Sequence, residues 1–94
     1  MATKIRADVD VRLYYEPPST IRTWLLILNL FVGNGTPLLA TVTDIAALSG
    51  NDGARPLSRG SVGRGIRNLE RLGILGVERR GHMMAMSANV EALN

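Results

Sequence analysis

The 94 residues include no cysteine, one histidine, one tryptophan, two tyrosines and one phenylalanine. Without cysteine there is no disulfide, no thiolate nucleophile and no cysteine-bound zinc, and a single histidine builds no metal centre without several carboxylates beside it. The pattern fits the reducing cytoplasm. Few aromatics leave no platform for unstacked RNA bases, although RNA binding itself stays open. There is no phosphate-cradling glycine loop of the P-loop kind and no nucleophile visibly paired with the histidine, so an enzyme is the weakest reading and no cofactor is expected. Long apolar runs are missing too: "TWLLILNLFV" (23–32) is about half the ~20 residues of a bilayer span and is interrupted by Asn29. It reads as a core helix, with no membrane partner. The opening "MATKIRADVDVRLYY" carries acids and no apolar run, which argues against a secretory signal.

What the chain does have is unevenly placed positive charge. Between residues 53 and 82 stand seven arginines against Glu70 and Glu78, a local net of +5, while the rest holds four bases and six acids. A field so concentrated attracts a polyanion, although a solvated basic surface has the same composition. The length suits one domain over 1–94 and leaves no room within it for a separate effector domain.

Residues 5–15 alternate apolar and polar, which predicts an N-terminal strand within an arm of residues 1–18. Ser19 or Thr20 is placed to cap a helix over 19–33, stopped by "GNGTP". Apolar residues cover more than half of that helix, as in a central helix or one shared with a second subunit. Leu39 to Val42 reads as a short strand, Thr43 as the cap of a helix over 43–50, and "NDGARP" as a loop.

The segment "LSRGSVGRGIRNLERLGIL" (57–75) predicts a helix over 58–73 despite its four glycines. At about 100° per residue, Val62, Gly65, Ile66, Leu69, Leu72 and Gly73 share one sector, and Gly60, Arg64, Arg67 and Arg71 share the opposite one. Gly60 would let the backbone approach a surface, Gly65 would allow close helix packing, and Gly73 would end the helix. Gly63 sits at the margin without a role. Residues 74–87 read as a hairpin with a polar tip at Arg80, Gly81 and His82, its methionines serving as core filler. "ANVEALN" (88–94) reads as a frayed helical turn.

The order helix, strand, helix, helix, hairpin predicts an α+β, mainly α fold: a winged helix-turn-helix with an additional N-terminal strand. Over residues 39–87 the series "SRGSV…L..LGIL…ERRG" resembles the recognition helix and wing of GntR-type bacterial regulators, and "TVTDIAALSG" resembles the preceding helix of that class and of MarR-type proteins. The resemblance implies that Ser58, Arg59 and Ser61 meet DNA and that Gly81 and His82 approach a minor groove. Three departures stand out: "NDGARPL" lengthens the turn between the two helices, Gly63 replaces a common arginine with Arg64 one place later, and the effector domain is absent from these residues.

The expected partner is therefore double-stranded DNA, read by a homodimer in the cytoplasm or nucleoid. Arg64 and Arg67 would contact bases, Ser58, Arg59, Ser61 and Arg71 the backbone beside Gly60, and Arg79, Arg80, Gly81 and His82 the wing side. The expected role is that of a transcriptional repressor or of a plasmid or viral partition or architectural factor. The rival reading is a winged-helix module that binds an acidic protein.

Overall fold

The computed structural model describes residues 11–50 and 55–89. It is an α+β arrangement of three helices, here α1 (Pro18–Asn34), α2 (Val42–Leu48) and α3 (Arg59–Arg71), with a three-stranded antiparallel sheet of β1 (Leu38–Ala40), β2 (Leu75–Arg80) and β3 (Met83–Ala88). The sheet order is β1-β3-β2, so the short strand after α1 pairs with the returning limb of the hairpin: Leu38 faces Met86 and Ala40 faces Met84. Among the described residues no helix is long and apolar enough to cross a membrane.

Several predicted boundaries are corrected. The N-terminal strand does not extend through residues 11–15, where Val11–Leu13 is a 3-10 turn, closed by the Tyr14 and Glu16 amides donating to the Val11 and Leu13 carbonyls. Alternation there lacks a strand to pair with. Leu13 is buried in the core, and Val11 is exposed. Residues 5–10 of that prediction lie outside the described residues.

Helix α1 begins on neither Ser19 nor Thr20. Its N-cap is Pro17, with no side-chain cap, and Pro18 occupies the first turn, where a missing N–H costs nothing. Thr20 is instead buried inside the helix. The other end stops as expected, with Gly35 at φ 73° donating to the Phe31 carbonyl at 2.7 Å.

Thr41, not Thr43, caps α2. The Asp44 amide donates to Thr41 Oγ1 at 3.1 Å while the Thr41 amide donates to Asp44 Oδ2 at 3.0 Å, a reciprocal capping box. The earlier cap stops β1 at Ala40, short of the predicted Val42.

Helix α3 opens on Ser58, whose hydroxyl accepts the Ser61 amide at 3.1 Å. It closes in a Schellman motif: Gly73, at φ 77°, donates to the Glu70 carbonyl and Ile74 to the Leu69 carbonyl. Ile74 and Leu69 are both fully buried, the apolar contact that accompanies this stop. Gly73 itself is exposed and Leu72 half-buried, so the predicted core sector narrows to Val62, Gly65, Ile66 and Leu69. The hairpin turns at Gly81 (φ 66°) and His82, and β3 runs on to Ala88, which pairs with Leu75. Ala88 is thus strand rather than helical turn; residues 90–94 lie outside the described residues.

The core gathers Trp24, Ile27 and Phe31 from α1, Ile45 from α2, Val62, Ile66 and Leu69 from α3, and Met84 and Met86 from β3. The last two are core filler; Met83 is exposed. Helices α1 and α3 meet at Gly65, where an added Cβ would lie 2.9 Å from Thr23 Oγ1 and 3.1 Å from Thr23 Cβ. Thr23 is fully buried, and its hydroxyl donates to the Ser19 carbonyl at 2.8 Å, so it has nowhere to turn. Gly65→Ala therefore loses about 1–3 kcal/mol to overpacking against a helix-propensity gain of about 1 kcal/mol. Gly60→Ala meets nothing closer than 3.9 Å and keeps the gain. Urea unfolding should show the first variant destabilised and the second stabilised; equal midpoints would refute the close-packing role of Gly65.

Candidate functional site

The outward side of α3 carries Gly60, Arg64, Arg67 and Arg71, all exposed, with Arg59 beside them in the first turn. Long helical side chains lean back over the preceding turn, and here each of two arginines leans over a glycine. The Arg64 guanidinium lies 3.9 Å from where a Gly60 Cβ would be, and that of Arg67 lies 4.0 Å from the corresponding point of Gly63. The repeated spacing, glycine four residues before arginine, gives Gly63 the role that the sequence left blank. Both glycines keep the face low beneath flat guanidinium groups. At the start of the helix Ser58 Oγ donates to Ser61 Oγ at 3.0 Å, and Arg64 Nη2 reaches the same Ser61 oxygen at 3.5 Å.

The arginines divide by their partners. Among the described residues no carboxylate pairs with Arg59, Arg64 or Arg67. Arg71 reaches Glu16 at 3.4 Å, tying the segment before α1 to the end of α3. Arg79 makes a two-pronged bond to Glu70, Nη2 to Oε1 at 2.6 Å and Nη1 to Oε2 at 3.1 Å. That hydrogen bond to Glu70, more than the Coulombic attraction, holds the Arg79 guanidinium above its ordinary value, with burial opposing. Arg80 pairs with Glu78 at 3.2 Å, both about two-thirds exposed, a contact of little energetic weight.

The sheet register explains why neighbouring arginines differ. Arg79 stands opposite Met84 on the face that covers the core, and Arg80 stands opposite Met83 on the outer face. Arg79 can therefore bend to α3, whereas Arg80 points with the hairpin tip. Gly81 and His82 are exposed at that tip. Between α3 and the hairpin an open cleft of about 470 Å³ is rimmed by Arg67, Glu70 and Arg79 over an apolar floor of Val42, Ile66 and Met84.

The structure thus brings Ser58, Arg59, Gly60, Ser61, Arg64, Arg67 and Arg71 onto one helix. Arg80, Gly81 and His82 sit on the adjoining hairpin, and Arg79 is bound to the helix rather than free. Sequence reasoning missed Glu70 and Glu16, the carboxylates that hold two of the predicted arginines. No local spacing announces pairs that lie 9 and 55 positions apart. Among the described residues no group of three His, Asp or Glu side chains gathers to hold a metal.

Because the Glu70–Arg79 pair is partly exposed, Glu70→Gln should cost at most about 1 kcal/mol of stability. It should nevertheless free the hairpin from α3, so that amide exchange speeds in β2 and β3 while the buried turns of α3 keep their protection. Unchanged hairpin exchange would show that the apolar contacts alone hold the hairpin. Comparison with known proteins finds no matching family model, no matching curated protein and no matching solved structure.

Proposed function

We propose that the chain is a winged helix-turn-helix protein that binds double-stranded DNA sequence-specifically as a homodimer, in the cytoplasm or nucleoid. Its uses would be transcriptional repression or the partition or architecture of plasmid or viral DNA. The observation that carries this reading is the outward face of α3: three arginines without carboxylate partners among the described residues, set over two glycines and flanked by a polar hairpin tip. The element order and the β1-β3-β2 sheet support the winged-helix assignment.

In this reading α3 lies in the major groove. Arg64 and Arg67 are suited to paired hydrogen bonds with guanine O6 and N7. Gly60 brings the helix backbone close to the duplex, and Ser58, Arg59 and Ser61 hold phosphates at the helix start, where free amides and the dipole favour an anion. Arg71 and Arg79, each already neutralised by a glutamate, would hold the frame and add less to binding than an unpaired arginine. Arg80, Gly81 and His82 would meet the neighbouring groove or backbone.

Dimerisation would use α1. Ile21, Leu25, Leu28 and Val32, spaced four, three and four, form a stripe on the side of α1 away from Thr23, and Val32 is 86% exposed. A single small module binds DNA weakly, and two copies read two half-sites.

Arg64→Ala and Arg67→Ala should each cost about 1–3 kcal/mol on a selected duplex and relax the preferred base, whereas Arg59→Ala should weaken all duplexes alike and lower the salt slope by about one. Fluorescence anisotropy across a salt series distinguishes these outcomes. Duplex affinity unmoved in both Arg64→Ala and Arg67→Ala would sink the assignment and favour an acidic protein partner for the same face. Separately, Val32→Glu should convert a dimer to a monomer in sedimentation velocity without lowering the unfolding midpoint; a dimer that survives it uses another surface.

A further inference from the structure

The connection from α2 to α3 runs from Ser49 to Ser58 and is closed at its base. Ser49, 1% exposed, donates from its hydroxyl to the Ala46 carbonyl at 2.6 Å, and the same oxygen accepts the Leu57 amide at 2.7 Å. One hydroxyl therefore finishes α2 and fixes the residue just before the cap of α3. From α1, Arg22 Nη2 donates to the Arg55 carbonyl at 2.9 Å and reaches the Ser49 carbonyl at 3.5 Å. The two limbs also touch: Pro56 Cγ lies 3.1 Å from where a Gly50 Cβ would stand. Leu57 packs partly buried against the core.

We infer that Arg22 and Ser49 are positioning residues for α3, acting from α1 and from the end of α2 to fix where the arginine-bearing helix begins. This rests on the DNA-binding reading of α3 and adds to it two residues that touch no DNA. Whatever path the intervening residues take, the chain leaves and returns at one clamped point. The length of the connection then does not set the direction of α3. Side chains that must meet base edges tolerate little error in placement, so a helix start that wanders loses contacts it still possesses chemically.

Arg22 is suited to the task because its guanidinium can serve two carbonyls on opposite limbs at once. Both bonds come from Nη2, and a lysine ammonium also carries several donors but on a shorter stem, so it replaces the bridge only in part. Ser49 needs a hydroxyl that donates and accepts together, and alanine would leave the partly buried Leu57 amide without this partner.

The test compares the whole chain with Arg22→Ala, Arg22→Lys and Ser49→Ala by duplex binding across a salt series and by amide exchange. Loss of one such bond should weaken binding to a selected duplex about fivefold in Arg22→Ala and Ser49→Ala, with partial recovery in Arg22→Lys. The salt slope should stay as in the parent chain, because no phosphate contact is lost. Exchange should speed at residues 57–62 and stay unchanged in the three strands. Parent affinity in both alanine variants overturns the inference, as does a reduced salt slope, which would make Arg22 a phosphate contact. Faster exchange throughout the molecule would overturn it too, because it marks general loosening. If the parent chain binds no duplex, the DNA reading falls by itself, and exchange at residues 57–62 still decides whether the clamp orders α3.

Discussion

The approach of α1 and α3 at Gly65 and Thr23 governs the rest of the molecule. A side chain at position 65 would separate the two helices, and every residue of α3 is placed relative to that contact. With Gly65 against α1 and Val62, Ile66 and Leu69 in the core, helical geometry leaves one direction for Arg64 and Arg67, which is outward. Asn68 reinforces the crossing by donating to Thr20 Oγ1 at 3.0 Å. Among the described residues no buried side-chain polar atom lacks a hydrogen-bond partner, so these hydroxyls sit in the seam without the penalty of an unmet group.

Electrostatics then sorts the arginines by duty. A guanidinium bound to a neighbouring carboxylate is held in place and partly neutralised, and one without such a partner keeps its full attraction for an anion. Glu70 and Glu16 lie at the borders of the α3 face, each fastening a different element to the helix: the hairpin through Arg79 and the segment before α1 through Arg71. Of the seven arginines between residues 53 and 82, Arg55, Arg59, Arg64 and Arg67 have no carboxylate partner among the described residues, and the last three share α3. Glu70, inside the basic third of the chain, and Glu16, outside it, build the frame around the arginine face.

Much of this was legible in the sequence, for a physical reason in each case. The two faces of α3 follow from a period fixed by backbone hydrogen bonds, the Gly73 stop from a φ that other residues resist, and the hairpin from Arg-Gly-His between alternating strands. The failures share a cause as well. Residues 11–15 alternate like a strand, yet a strand exists only where another can pair with it, and that is a property of the whole fold. Thr43 and Thr41 both stand before an apolar run. Only Thr41 has a carboxylate three residues on to return its hydrogen bond, a pattern present in "TVTD". The glutamate partners and the Arg22–Ser49 clamp join residues far apart in sequence, so no local pattern encodes them.

Helix α1 shows the limit of reading burial from hydropathy. Its buried side sets Thr20 and Thr23 beside Trp24, Ile27 and Phe31, while Leu25 and Val32 look outward, so hydropathy alone misplaces four of its residues. The burial of Thr23 follows from the close crossing: a helix that must come within contact of Gly65 needs a short side chain there, and threonine is short, branched and able to return its hydroxyl to its own backbone. Small size outweighs apolarity at that one contact, while Trp24, Ile27 and Phe31 fill the core on either side and Leu25 and Val32 stand on the far flank. On the proposed dimer that flank is not surplus. The same helix would set α3 with its Thr23 side and join two copies with the opposite flank, so that the spacing between two arginine faces would be fixed through a single rigid element.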